Sequence, residues 1–148
     1  MNKTIRIINI LILIILMSCE SDKNKITFHK SHESSRQNVP YSDVVETDDF
    51  LFLTGQIGKN HKKGVLVEGG IKIETKQVIE NIQAVLKYHD LELDNVIKCT
   101  VILKDISDFA AFNEVYVKYF TKKPARTTFA AGGLAGNASI EIDAIAAK

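Results

Sequence analysis

From residue 26 onward the apolar positions change their period several times, and each change marks an element. Ile26-Thr27-Phe28-His29 alternates as a short strand does, and the polar run Ser31 to Asn38 that follows reads as a loop. Ser42 to Glu46 predicts a second strand, Asp48-Asp49 a turn, and Phe50-Leu51-Phe52-Leu53-Thr54 a continuous apolar strand folding back as a hairpin. Between Ile71 and Asp90 the period lengthens. Val78, Ile82, Val85, Leu86 and His89 recur at helical spacing, with Lys76, Glu80, Gln83 and Lys87 on the other side. Asp94 to Lys104 predicts a strand. Asp105 to Phe120 predicts a second helix carrying Phe109, Phe112, Tyr116 and Phe120 on one stripe, with Ser107 and Asp108 placed to cap it. Pro124, which fixes its own backbone and donates no ladder hydrogen bond, suits the start of a further strand. Gly132 to Gly136 predicts a turn between the last two strands. In Ser139 to Ala146 alternation sends Ile140 and Ile142 to one face and Glu141 and Asp143 to the other.

Strands, helix, strand, helix, strands is an α+β order, with both helices packed on one face of a mixed sheet. The 148 residues, 45% of them hydrophobic, suffice for one domain, expected over residues 26–148. A net charge of +1 gives no electrostatic bias toward nucleic acid.

The first residues belong to a different segment. Lys3 and Arg6 precede Ile7 to Met17, an apolar run broken by Asn9 and about half as long as a spanning helix requires. Leu16-Met17-Ser18-Cys19 after it resembles the lipobox of bacterial lipoproteins. The expectation is a signal peptide over residues 1–18, a lipidated tether over residues 19–25 acylated at Cys19, and a protein held at a membrane of the bacterial cell envelope, on its periplasmic or surface side. The other reading is an uncleaved anchor with an incidental cysteine. Cleavage would remove Lys3 and Arg6 from 19 basic residues set against 18 acidic ones, leaving a net charge of −1. Cys99 then stands alone in an apolar strand, which excludes an internal disulfide and suits packing.

Candidate chemistry concentrates near the C-terminus. An arginine just inside a strand, Arg126, can grip a carboxylate with two parallel hydrogen bonds. An acid on the last strand, Glu141, is expected to point at the same spot. Gly55, directly after an apolar strand, permits a bulge and removes a side chain that could block a ligand. No His or Cys group shows metal-ligand spacing, and Gly132-Gly133-Leu134-Ala135-Gly136 lacks the strand-turn-helix setting of a phosphate cradle, so no metal and no cofactor are expected. His61-Lys62-Lys63-Gly64 reads as a solvated loop and His89 as a helix-boundary residue.

Five segments occur in the order found in the RidA family, also called YjgF/YER057c/UK114: Val39-Pro40-Tyr41-Ser42, Leu53-Thr54-Gly55-Gln56-Ile57, Phe112-Asn113-Glu114-Val115-Tyr116, Pro124-Ala125-Arg126-Thr127-Thr128 and Ile140 to Ala146. The chain resembles that family over nearly all residues beyond 25. The resemblance implies a chorismate-mutase-like α+β fold and a homotrimer with ligand sites in the clefts between subunits. It implies that Arg126 holds a substrate carboxylate, that Glu141 handles the attacking water, that Tyr41 at the border of the cleft and Thr128 belong to the catalytic group, and that Thr54, Gly55 and Asn113 contribute to substrate binding. Thr128 stands where many members have cysteine, and Val39 where glycine is usual before Pro-Tyr. The implied reaction is hydrolysis of 2-enamine and 2-imine acids to 2-keto acids and ammonia, with a small imino or keto acid as the partner molecule. A noncatalytic small-acid-binding or holdase-like module using the same cleft is the alternative. An endoribonuclease activity, attached to part of the family, finds no basic surface here.

Overall fold

The computed structural model describes residues 25–148. The proposed signal peptide, Cys19 and all but the last residue of the tether lie outside the described residues. Strands β1 (Thr27–His29), β2 (Val44–Glu46) and β3 (Phe50–Ile57) form an antiparallel meander, and a two-residue hairpin follows, β4 (Lys59–Asn60) with β5 (Val65–Leu66). Helix α1 (Ile71–Tyr88), strand β6 (Val96–Leu103), helix α2 (Phe109–Tyr119) and strands β7 (Ala125–Ala130) and β8 (Ile140–Ala147) complete the chain. The main sheet has the order β1-β2-β3-β8-β6-β7. Its neighbours are antiparallel except β6 and β7, whose parallel pairing requires a crossover that α2 supplies.

Both helices cover one face of this mixed sheet, as the pattern predicts. In β8, Ile140, Ile142, Ala144 and Ala146 are buried beneath the helices while Glu141, Asp143 and Ile145 turn to the open face. The stripe Val78, Ile82, Val85, Leu86 of α1 meets them with Ile79, and Phe112, Tyr116 and Phe120 close the core from α2. Cys99 is fully buried among these residues, in the packing role expected of it.

The differences from the expected elements have local causes. β3 runs on to Ile57 because a bulge between Leu53 and Gln56 lets pairing with β8 resume beyond Gly55. The hairpin β4–β5 was not expected, since two-residue strands carry no period. The second helix begins at Phe109, later than the pattern suggests. Ile106–Asp108 forms a single 3₁₀ turn capped by Asp105, whose carboxylate accepts from the Ser107 amide at 2.8 Å; Asp108 holds the N-cap position of the helix, as expected, but without a side-chain capping bond, and Ser107 lies within the 3₁₀ turn. Residues 132–136 do connect β7 to β8, but these strands are not neighbours, because β6 lies between them.

Helix α1 ends in a Schellman motif. The Leu91 amide donates to the Leu86 carbonyl and the Asp90 amide to the Lys87 carbonyl, with Asp90 in the left-handed region at φ 59.

Candidate functional site

Glu141 lies across from Ile57 of β3 and Ile102 of β6, on the sheet face away from the helices. Its carboxylate rests against the Gly55 backbone, where any side chain would collide with it: a Cβ at residue 55 would stand 2.0 Å from Glu141 Oε1. The bulge and the glycine together make that space. The start of β8 is pinned by Glu74, a buried residue of α1 whose two oxygens accept from the Ser139 amide at 2.8 Å and the Ser139 hydroxyl at 2.6 Å.

Around this carboxylate opens a cavity of about 520 Å³ lined by Tyr41, Thr54, Gly55 and Glu141, and also by Arg36, Gln56 and His61. None of the last three was expected to be a site residue. Arg36, in the segment read only as a polar loop, is buried, pairs with Asp43 at 2.9 Å and donates to the Gln56 side-chain oxygen. His61 belongs to a run that looks solvated, yet burial holds its pKa below the usual histidine value and the Arg36 charge adds to the effect. Its Nδ1 is buried without a hydrogen-bond partner among the described residues. The sequence signal available was weak: Arg36 lies in the segment before β2 and His61 just after β4, and nothing in the spacing joins them.

Arg126 occupies a different place. Its partner across the parallel pair is Cys99, whose antiparallel partner is Ala144, and both of those are buried on the helix face. Residues directly opposite share a face. Arg126 therefore points toward α2, where its guanidinium carbon sits 4.7 Å from the Tyr116 ring centre, 5.0 Å from Phe112 and 5.6 Å from Phe109. Three aromatic faces orient one planar cation. A cavity of about 370 Å³ beside it is lined by Asn113, Val117, Phe120, Thr121 and Lys123. Thr128 follows on the same face, its hydroxyl buried without a hydrogen-bond partner. The Tyr116 hydroxyl neighbours the Cys99 thiol without a well-directed hydrogen bond. Burial pushes both groups up, the thiol to about 11.

The expectation that Arg126 and Glu141 point at one spot is therefore not met within a single chain. Arg126 shares a row with Ala144, three residues along β8 from Glu141. Three is an odd step, so alternation puts the two charges on opposite faces of the sheet. Tyr41, Thr54, Gly55 and Glu141 form one group, Asn113 and Arg126 another, with Thr128 along the same strand as Arg126. Among the described residues neither Arg126 nor Glu141 takes part in an ion pair. Among the described residues neither cavity gathers metal ligands. One group elsewhere does, namely His29, Glu46 and His89.

A six-stranded mixed sheet covered on one face by two helices, with an arginine on one face and a carboxylate on the other, defines a chorismate-mutase-like α+β protein. More particularly, the chain belongs to the Endoribonuclease L-PSP family, the family of the RidA and YjgF proteins, whose profile matches residues 32–148. It is 48% identical over 110 residues to a RutC family protein of Pyrococcus horikoshii, covering 74% of this chain and 87% of that one. It is 41% identical over 108 residues to the human 2-iminobutanoate/2-iminopropanoate deaminase, covering 72% and 79%. The crystal structure of the YjgF gene product of E. coli superimposes with a TM-score of 0.76 at 28% identity, covering 82% of this chain and 98% of that one.

Proposed function

We propose that this protein hydrolyses reactive 2-enamine and 2-imine acids to 2-keto acids and ammonia, and that it does so as a homotrimer whose sites form where the Arg126 face of one copy meets the Glu141 face of the next. The observation that carries this reading is a pair of opposite charges, each prepared by its surroundings and each without an ion-pair partner among the described residues, on opposite faces of one sheet. A chain with two such half-sites uses both on one ligand only by facing a second copy. The open face supports this. Phe52 is 41% exposed and Phe129 46%, an apolar surface of the kind that subunit contact covers.

In the assembled cleft the Arg126 guanidinium takes the substrate carboxylate through two hydrogen bonds, its plane held by the rings of α2. Glu141 accepts a proton from water as the water oxygen bonds to the imine carbon and the C=N electron pair moves to nitrogen, which takes up a proton. The resulting carbinolamine loses ammonia after the proton held by Glu141 passes to nitrogen. The hydroxyl proton leaves as the C=O bond of the keto acid forms. Substrate and water thus become keto acid and ammonia, with no electron acceptor. The lipobox-like segment motivates the further proposal that Cys19 anchors this activity at a membrane of the bacterial envelope, where the enamine 2-aminoacrylate, its imine tautomer or another imino acid serves as substrate.

The test is ammonia and keto-acid release from freshly generated 2-aminoacrylate and from bulkier imino acids, by the wild-type chain and by Arg126→Ala and Arg126→Lys. Turnover in wild type and a loss of at least about 100-fold in both variants is expected, since lysine cannot reproduce the two-bonded grip. Keto-acid binding without turnover in wild type would overturn the catalytic reading in favour of a small-acid receptor.

A further inference from the structure

Three of the chain's four histidines lie at one corner, and none of them lines either cavity described above. His29 of β1 and Glu46 of β2 are cross-strand neighbours on the helix face, since His29 pairs with Val44 and Thr27 with Glu46. His29 Nε2 donates to Glu46 Oε2 at 2.7 Å. Above them, the last turn of α1 delivers His89, whose ring meets the His29 ring edge to face with centres 4.7 Å apart. The ligand atoms of His29, Glu46 and His89 all lie within 4.8 Å of one another. His32, stacked on Tyr88 at 5.1 Å, flanks the group.

We infer that His29, Glu46 and His89 form a binding site for one borderline divalent transition-metal cation, of which Zn(II) is the natural representative. Two imidazoles and one carboxylate are a donor set suited to Zn(II), Cu(II) or Ni(II) and poorly suited to Mg(II) or Ca(II). A tetrahedral ion with bonds of about 2.0–2.1 Å holds its ligand atoms roughly 3.3 Å apart. The apo geometry brackets that spacing, so small side-chain rotations suffice. The His29 to Glu46 contact opens slightly, and the proton it carries leaves to solvent as the metal takes its place.

The surroundings favour this use over a plain ion pair. Glu46 turns its other oxygen, Oε1, to Lys148 Nζ at 2.6 Å, which fixes the carboxylate plane and leaves Oε2 for the metal. The His89 side chain has no hydrogen-bond partner among the described residues, so a ring nitrogen is uncommitted. A cleft of about 340 Å³ lined by Lys25, Thr27, His29, Glu46 and Lys148 opens beside the group, giving access and room for water as a fourth ligand. The ligands come from three elements distant in sequence, so no short motif announces them. The expectation that the chain lacks a histidine cluster held only for linear spacing.

The experiment is calorimetric titration of the tag-free full chain with ZnCl₂, beside His29→Ala, His89→Ala, Glu46→Gln and the unrelated His61→Gln. One Zn(II) per chain is expected in wild type and His61→Gln, weakened at least about tenfold in each of the other three. No binding in wild type, or binding unchanged in those three, would overturn the site. Because loss of binding in a variant also follows from loss of its fold, the wild-type chain is in addition loaded with Cu(II) and examined by paramagnetic resonance. Coupling to two nitrogens supports the site; coupling to one or none overturns it.

Discussion

A β-carbon at residue 55 would stand 2.0 Å from the Glu141 carboxylate, so the position of the one depends on the bareness of the other. The three nearest atoms all belong to the Glu141 side chain and none to the backbone, so the clash is met by turning that side chain. Gly55→Ala should therefore leave the fold intact, with stability changed by no more than about 1 kcal/mol, while displacing the carboxylate from its cavity. Imine hydrolysis falls by at least about tenfold, and urea unfolding shows an almost unmoved midpoint. Equal loss of activity and stability would show that Gly55 serves the strand rather than the acid.

The split of the site between faces predicts complementation. Arg126→Ala and Glu141→Gln chains are each inactive alone. Unfolded together and refolded as mixed oligomers, they should regain about a quarter of wild-type activity, because a random junction joins the two intact halves about one time in four. Activity of the mixture equal to the sum of its parts would place both residues in one subunit's site. This assay needs only the two variants and a shared refolding step.

Asp90 occupies a backbone position that glycine fills at no steric cost. With φ 59 at the helix terminus, Asp90→Gly relieves a left-handed conformation costing an L-residue about 1–2 kcal/mol, against some loss of unfolded-chain restriction. A net gain of about 0.5–1 kcal/mol is expected from chemical denaturation, with imine turnover unchanged.

Cys99 gives the alkaline limit of stability. Burial raises its pKa from 9.0 to about 11, so in the folded chain it stays protonated while the unfolded chain ionises. The corresponding stability is complete below about pH 9 and falls by roughly tenfold in the folding constant per pH unit until about pH 11. Denaturation midpoints at pH 8 and pH 10.5 should diverge in wild type and do so less in Cys99→Ala.

Acylation is checked separately. Radiolabelled palmitate should enter the wild-type chain expressed in a bacterium and fail to enter Cys19→Ser, which then leaves the membrane fraction.

Much of the architecture was written in periodicity. The α1 stripe, the alternation in β8 and the apolar run of β3 each follow from which positions must avoid water, and the helices bury those residues. What periodicity could not convey was neighbourhood. Nothing local to residues 125–130 says that β7 lies parallel to β6 at the sheet edge, yet that pairing sets the row of Arg126 and hence its face. The candidate residues were legible as a set because they recur in order along the chain, whereas their division between two faces depends on strand order and register. Arg36 and His61 were missed for a different reason: their burial comes from the packing of loops against β3, and a charged residue in a polar loop looks solvated in one dimension. The two-residue strands β4 and β5 are too short to show any alternation.

The last strand of the chain is also the middle of the sheet. β8 pairs with β3 on one side and β6 on the other, and β3 and β6 do not touch without it. During synthesis the sheet therefore exists as two unjoined pieces until residues 140–147 have emerged from the ribosome. Ile140, Ile142, Ala144 and Ala146 are core residues, so without β8 the two helices lose the central strand on which they pack.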